Sequence, residues 1–332
     1  LISLCILLYL VIMLLMLLVT STYFLLHVPR AAVEWCIYLL VCATGAVRAF
    51  SSPAFNAFLA QLVKQEELVR AASVNSMAWL IAAVAGPATA GLLLGYTNIT
   101  TAFIIVCSMV FLSLLMIQKV PQKPVAYDPG KTKTWDSVKE GLEFVMNQKA
   151  LLGSMMLDMF AVLFGGAVAL LPVFAKDILH IGPQGLGWLM SATYLGNFVA
   201  IAFLTWKPLR NNQGKKLFYV VAGFGISIIV FALSKSFMLS FAALFISGLF
   251  DGVSVIIRGT VLQLFVPNKM RGRVSSVSSI FINSSNELGQ FESGVAASVL
   301  GTVPSVLFGG SMTLVVTIIT WFKAPGLRKL EY

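Results

Sequence analysis

Charged residues, cysteines and histidines are all scarce in this sequence of 332 residues. Only 11% of its residues are charged, whereas a soluble globular domain carries about 25%, so an ordinary soluble domain is excluded. The four cysteines lie in or beside apolar runs without CxxC spacing, and they predict neither a disulfide framework nor a metal site. The two histidines, His27 and His180, fall at the ends of apolar runs, where a lone histidine is usually interfacial.

Catalytic motifs are also missing from the sequence. It has no HExxH, no phosphate-binding P-loop and no acid-rich diphosphate motif. We therefore predict no catalytic residues and no cofactor, and an enzyme acting on lipid within the membrane is the less favoured alternative.

Long apolar runs dominate what is present. Hydrophobic residues make up 58% of the chain. A helix needs about 20 apolar residues to cross a bilayer core about 30 Å thick, and the runs are too long and too poorly alternating for barrel strands. The sequence predicts an all-α polytopic membrane protein with ten spans, at approximately 1–26, 33–63, 71–95, 101–118, 150–175, 184–206, 217–234, 238–266, 274–300 and 304–322.

Basic residues are distributed unevenly between the two sets of alternate loops. Of 23 lysines and arginines, 18 fall on one side, three on the other and two within spans. This positive-inside asymmetry accounts for the net charge of +10 and makes nucleic-acid binding the weaker interpretation. It predicts that both ends of this sequence and the central loop are cytoplasmic.

Ionisable residues within the spans are few and grouped. The first, fourth, seventh and tenth runs contain no Asp, Glu, Lys or Arg, and neither do the third and the sixth. A charge at mid-membrane costs roughly 2.5–3.5 kcal/mol on insertion scales and usually serves function. We therefore predict that the charged residues of the other spans line a substrate or proton pathway: Arg48, Asp158, Asp251, Arg258, Glu287 and Glu292.

Each of these residues also has a structural alternative. Asp251 and Arg258 are two helical turns apart on one stripe, which faces either a cavity or a buried ion pair with other helices. Asp158 is either a proton carrier or an acceptor for a neighbouring helix end. The two glutamates could serve interhelical hydrogen bonding, and Arg48 could contact substrate or pair with an acid of another helix.

The only long polar stretch lies between Lys119 and Lys149. After several prolines, Trp135, Val138, Leu142 and Val145 recur at helical spacing. We predict a cytoplasmic linker over 119–149 that contains an amphipathic helix at the membrane surface, between a first bundle at 1–118 and a second at 150–332.

A weak internal repeat relates the two bundles. The stretch 61–73 resembles 263–275, and six spans separate the two copies. The repeat unit is then six helices, which predicts that two further spans precede Leu1 and that the chain is a fragment. Parallel repeats of this kind are typical of transporters with a site between the halves.

Several stretches together resemble a known family: Arg48-Ala-Phe-Ser-Ser-Pro53, Asn75-Ser76, Gly86-Pro87, Leu157-Asp158 with Leu170–Ala175, Arg271-Gly-Arg273-Val-Ser275 and Asn286–Gly294. They resemble the major facilitator superfamily, in its drug:proton antiporter-like branch that includes enterobactin exporters and macrolide efflux proteins. The loop 207–216, with Arg210 and Gly214, resembles a degenerate form of the family's basic cytoplasmic loop.

This resemblance implies two six-helix bundles around a cavity, the first reduced here to four helices, with the first, fourth, seventh and tenth runs outermost. It implies a monomer in the bacterial inner membrane that exports a small amphipathic molecule or siderophore by alternating access, coupled to protons. Gly86 and Pro87 would form a kinked, tightly packed crossing like the antiporter motif, and Arg273 would serve packing or gating. A non-transporting sensor or scaffold of the same fold is the remaining alternative.

Overall fold

The computed structural model describes residues 1–63, 67–120, 134–209, 211–267 and 270–331. Arg210 and the side chain of Trp135, both used in the sequence predictions, lie outside the described residues. The α-helices are α1 Ile2–Val19, α2 Thr22–His27, α3 Arg30–Leu62, α4 Leu68–Tyr96, α5 Ile99–Gln118, α6 Thr134–Asn147, α7 Lys149–Gly165, α8 Leu171–Val173, α9 Pro183–Trp206, α10 Gln213–Leu233, α11 Phe237–Phe265, α12 Arg271–Leu300, α13 Thr302–Lys323 and α14 Pro325–Arg328.

Helix boundaries follow local sequence signals. Asn98 precedes α5, and its side-chain oxygen accepts a hydrogen bond from the backbone N–H of Thr101 at 2.8 Å, which satisfies one of the free donors of the first turn. Pro183 occupies the first turn of α9, where its missing N–H costs nothing. Gly301, with φ of +92°, forms the turn between α12 and α13, a conformation that favours glycine.

Long apolar helices account for the predicted spans. Within the part of the chain that the structure describes, nine helical segments are long and apolar enough to cross a membrane. The predicted ninth span forms α12, whose 30 residues reach about 45 Å and exceed the bilayer core, but it is the most polar of the long helices. The all-α polytopic fold is therefore confirmed.

The chain divides into two compact units. The first comprises the described residues of Leu1–Ala82 and Thr89–Tyr127, and the second those of Ala83–Ala88 and Asp128–Tyr332. In the first unit, α1 packs against α3 and α5. The small core of this unit includes Ile12, Met16, Val33 and Leu40.

Two apolar clusters form the core of the second unit. One contains Leu151, Leu157 and Ile257, with α12 and α14 contributing further residues. The other contains Phe174 and Leu244, with α9, α10 and α13 contributing further residues. Along α11 the chain passes from the second cluster, at Leu244, to the first cluster, at Ile257, so Asp251 lies between the two clusters.

The two copies of the internal repeat occupy equivalent positions. The first copy joins the end of α3 to the start of α4, and the second joins the end of α11 to the start of α12. Each copy thus connects two long helices, as the sequence similarity predicts.

The amphipathic stretch forms α6 and packs against protein. Val145 is fully buried beside Val274 of α12. A Cβ on Gly141 would lie 2.9 Å from the carbonyl oxygen of Arg273, so glycine permits this close approach. The start of α12 therefore covers Val145, and the position of α6 at the membrane surface stays a prediction.

Helices α10 and α13 correspond to the uncharged runs 217–234 and 304–322, and each helix has a buried and an exposed face. They cross at Gly225 and Gly310, where a Cβ on either residue would lie about 3 Å from the carbonyl oxygen of the other. On the opposite face of α10, Tyr219, Ile226 and Leu233 are exposed. The absence of charge thus accompanies an exposed apolar face, while the other face of each helix is packed.

The antiporter-like stretch lies within α4, which continues through Pro87. The hydroxyl of Ser191 on α9 donates to the carbonyl oxygen of Val84 at 2.7 Å, two residues before Gly86. The tight crossing expected at Gly86 and Pro87 stays a prediction.

Candidate functional site

The predicted charges Asp158, Asp251 and Arg258 come together inside the second unit. Asp251 is the central residue of α11, whose 29 residues reach about 43 Å, so it lies near the middle of a spanning helix. Asp158 lies nine residues after the start of α7. Arg258, two turns after Asp251, brings the two acids together.

Arg258 contacts both acids and a serine. Its Nη1 donates to Oδ2 of Asp158, and its Nη2 lies 3.9 Å from Oδ1 of Asp251. Its Nε donates to the hydroxyl of Ser254 at 3.2 Å. The guanidinium therefore has a close partner on α7 and a looser one on its own helix.

Asp251 has a second partner on α9. The side-chain amide of Asn197 donates to Oδ2 of Asp251 at 2.8 Å. The carboxylate of Asp251 is thus shared, with Oδ1 toward Arg258 and Oδ2 toward Asn197. A carboxylate held from two sides has a defined orientation within the cluster.

A close helix crossing sets the position of Asn197. A Cβ on Gly252 would lie 2.9 Å from the carbonyl oxygen of Asn197. One turn earlier on α11, a Cβ on Gly248 would overlap the carbonyl oxygen of Thr193. Small residues spaced four apart let two membrane helices approach closely, and here they flank Asp251 on α11.

The two acids differ in their access to solvent. The side chain of Asp158 is 8% exposed and that of Arg258 is 14% exposed, whereas Asp251 is 33% exposed. Asp158 is therefore a buried anchor for the guanidinium. Asp251 is the acid that water reaches more easily.

A small cavity adjoins the two carboxylates. A cavity of about 20 Å³ lies between α7, α10 and α11, and it is lined by both acids, Ser254 and apolar side chains that include Phe224 and Phe250. Sites for drug-sized ligands typically measure about 300–1,000 Å³. The cavity suits water or a small ion better than a large cargo molecule.

The other predicted pathway residues lie elsewhere. On α12, Glu287 is exposed and Glu292 is half-buried. In the first unit, Arg48 is exposed on α3, and its carbonyl oxygen accepts a hydrogen bond from Ser51 at 3.3 Å.

Arg273, predicted to serve packing or gating, forms an ion pair. Its Nη1 donates to Oε2 of Glu140, which joins the start of α12 to the linker helix α6. Both side chains are partly exposed. The contact therefore fastens the linker to the second unit, and its effect on gating stays a prediction.

Sequence reasoning missed Asn197, Ser254 and Glu140. Ser254 could have been found, since it lies one turn before Arg258 and three residues after Asp251. Asn197 is a single amide in an apolar run, and only the crossing of α9 with α11 brings it to Asp251. Glu140 is one of several charges on α6, and its sequence offers no sign of its partner.

Comparison with known proteins identifies the family to which this chain belongs. A family model described as a transmembrane secretion effector, one of the major facilitator models, matches residues 6–331. The chain belongs to the major facilitator superfamily.

Curated members of the superfamily match over most of the chain. The uncharacterised transporter YfiS of Bacillus subtilis is 24% identical over 298 residues, which cover 86% of this chain and 71% of that protein. The enterobactin exporter EntS of Escherichia coli is 23% identical over 297 residues, which cover 89% of this chain and 70% of that protein. The predicted resemblance to a transporter of the enterobactin exporter type is therefore confirmed.

Solved structures of the superfamily share the fold. A bacterial homologue of the human lysosomal transporter Spinster, in an inward-facing and unoccupied conformation, aligns with a TM-score of 0.63 at 15% identity and covers 98% of this chain and 81% of its own. The fucose:proton symporter of Escherichia coli aligns with a TM-score of 0.52 at 15% identity. The chain is thus a multi-pass membrane transporter of the major facilitator fold.

Proposed function

We propose that this transporter exports a small amphipathic molecule or siderophore by alternating access, and that it exchanges protons at the cluster of Asp158, Asp251 and Arg258. The direction of transport is proposed from the likeness to the enterobactin exporter. The cargo class follows the same likeness, and its identity is a matter for direct assay.

The charge of the cluster is the observation that supports proton exchange. Two carboxylates share one guanidinium, so the fully ionised cluster carries one uncompensated negative charge. Uncompensated charge is costly in a surrounding of low dielectric constant. Binding one proton makes the cluster neutral, and the exposure of Asp251 gives that proton a route from water.

The other side chains that line the cavity leave proton binding to the two acids. From α10 the cavity is lined by Val220, Val221 and Phe224, which do not titrate.

The small volume of the cavity argues that the cargo binds elsewhere. We propose that Arg48, Glu287 and Glu292 contribute to the cargo pathway, with residues 1–118 and 150–332 as the two bundles and 119–149 as their linker.

Basic residues support the proposed orientation. With 18 of the 23 lysines and arginines on one side, both visible ends would face the cytoplasm of a bacterial inner membrane. We propose a monomer in the lipid bilayer whose partners are the cargo and protons, with no role for nucleic acid.

Transport by the full-length protein in proteoliposomes tests the proposal. Enterobactin and a lipophilic fluorescent dye serve as probes, under an imposed pH gradient and with a pH-sensitive dye in the lumen. We expect cargo movement to drive proton movement in the wild type, and both Asp158→Asn and Asp251→Asn to abolish the proton signal. Ser227→Ala is the matched control, since this buried serine of α10 donates only within its own helix.

Two results would contradict the proposal. Transport of a probe at a rate independent of the pH gradient, unchanged in both aspartate variants, would remove proton exchange from the cluster. Binding of a probe without any transport in the wild type would favour the sensor or scaffold.

A further inference from the structure

We infer that Asn197 is a positioning residue that makes Asp251, and not Asp158, the acid that exchanges the proton. The inference rests on the proposed function, because it assigns roles within the same cluster. It begins from the unequal contacts of the two carboxylates.

Asp158 forms a direct ion pair with Arg258. Its Oδ2 accepts directly from Nη1 of the guanidinium, and its side chain is almost fully buried. A proton placed on Asp158 would break the close ion pair and leave the guanidinium with the looser partner at 3.9 Å. Proton exchange at this acid therefore disturbs the whole cluster.

Asp251 can gain or lose a proton with less disturbance. Its Oδ1 is 3.9 Å from Nη2 of Arg258, beyond hydrogen-bond distance, so protonation there costs no direct bond to the guanidinium. Its Oδ2 is held by the amide of Asn197 at 2.8 Å. Asn197 thus fixes one oxygen of a carboxylate that also lines the small cavity.

The position of Asn197 is rigid because its backbone is packed against α11. A Cβ on Gly252 would lie 2.9 Å from the carbonyl oxygen of Asn197, and one on Gly196 would overlap the carbonyl oxygen of Phe245. The two glycines let the backbones of α9 and α11 approach closely at this crossing. The amide is therefore held at the distance that a hydrogen bond to Asp251 requires.

Other charged groups near Asp251 are Asp158 from α7 and Arg258 from its own helix. Asn197 of α9 does not titrate, and neither do the residues of α10 that line the cavity. On α12, Glu287 and Glu292 are the ionisable groups that follow Arg273, and Glu287→Gln tests whether that helix contributes.

Infrared difference spectroscopy of the purified full-length protein tests this role without any cargo. The carbonyl stretch of a protonated carboxyl group is followed across a pH titration, and Asp251→Asn identifies the band of Asp251 by removing it. A hydrogen bond donated to the carboxylate favours its ionised form, so we expect Asn197→Ala to move the midpoint of this band by about one pH unit to higher pH. Ser227→Ala and Glu287→Gln should leave the midpoint in place.

Asn197→Ser serves as a second variant if the alanine variant does not fold, since its shorter side chain cannot span to Asp251. A midpoint that stays unchanged in a folded Asn197 variant overturns the inference, even if transport proves to be proton-coupled. A band that persists in Asp251→Asn overturns it as well, because the proton then resides on another group. A shifted midpoint supports the inference even in a protein that transports none of the probes, so the two proposals fail separately.

Discussion

The ion pair between Arg258 and Asp158 should be the strongest side-chain coupling in the charged cluster. Both side chains are largely buried, at 14% and 8% exposed, whereas Asp251 is 33% exposed and 3.9 Å from the guanidinium. The perturbation is a double-mutant cycle that combines Arg258→Gln with Asp158→Asn. A second cycle combines Arg258→Gln with Asp251→Asn.

The expected magnitudes follow from burial and distance. Removing one partner of a buried pair costs about 3–5 kcal/mol, because the other charge is left uncompensated. Asp158→Asn should lower the free energy of unfolding by less than Arg258→Gln does. In the first variant Arg258 still has Asp251 nearby, whereas Arg258→Gln leaves two acids without their cation. We expect a coupling energy of about 2–3 kcal/mol for Arg258 with Asp158. For Arg258 with the more exposed Asp251, we expect about 1 kcal/mol or less.

Equilibrium unfolding in mixed micelles, followed by tryptophan fluorescence, gives the free energy of unfolding of every variant in both cycles. The variant Arg258→Gln with Asp158→Asn should be more stable than the sum of its single changes predicts. Coupling energies for the two cycles that agree within about 0.5 kcal/mol would refute the unequal sharing of the guanidinium. A coupling near zero for Asp158 would refute the ion pair itself.

Two further predictions concern a helix crossing and an ion pair. Gly248→Ala should destabilise the protein by about 1–3 kcal/mol, because the new methyl group would overlap the carbonyl oxygen of Thr193 and force α9 and α11 apart. Gly259→Ala on the same helix has open space and should be neutral or stabilising by up to about 1 kcal/mol in the same unfolding assay; equal destabilisation by both would contradict the crossing. Glu140→Gln should change stability by less than about 1 kcal/mol, since its pair with Arg273 is partly exposed. A loss of several kcal/mol in thermal unfolding would show that this pair holds the linker helix in place.

Much of the fold could be predicted from composition and periodicity. The apolar runs identify the spanning helices because each must satisfy its backbone hydrogen bonds internally within lipid. The repeat at 61–73 and 263–275 predicts equivalent helix pairs, and both copies do connect long helices. The orientation of the chain in the membrane stays a prediction from the positions of its basic residues.

The site could be predicted only in part. Seven-residue spacing places Asp251 and Arg258 on one stripe of α11, but it does not show that Arg258 reaches Asp158 on α7. Gly248 and Gly252 provide close packing at α11, because a Cβ on either residue would meet the backbone of α9. Glycines in apolar runs look alike in sequence, and only the neighbouring helix decides which of them is crowded.

The sequence by itself determined that this chain is a helical membrane protein, which runs cross the bilayer and which of them carry charge, since these follow from the cost of placing polar groups in hydrocarbon. Tertiary structure decided which charges meet. Asp158 and Arg258 are 100 residues apart, and Asn197 and Asp251 are 54 residues apart. Their contacts exist because α7, α9 and α11 pack side by side, and the distance between helices depends on side chains far along the chain that no local pattern records.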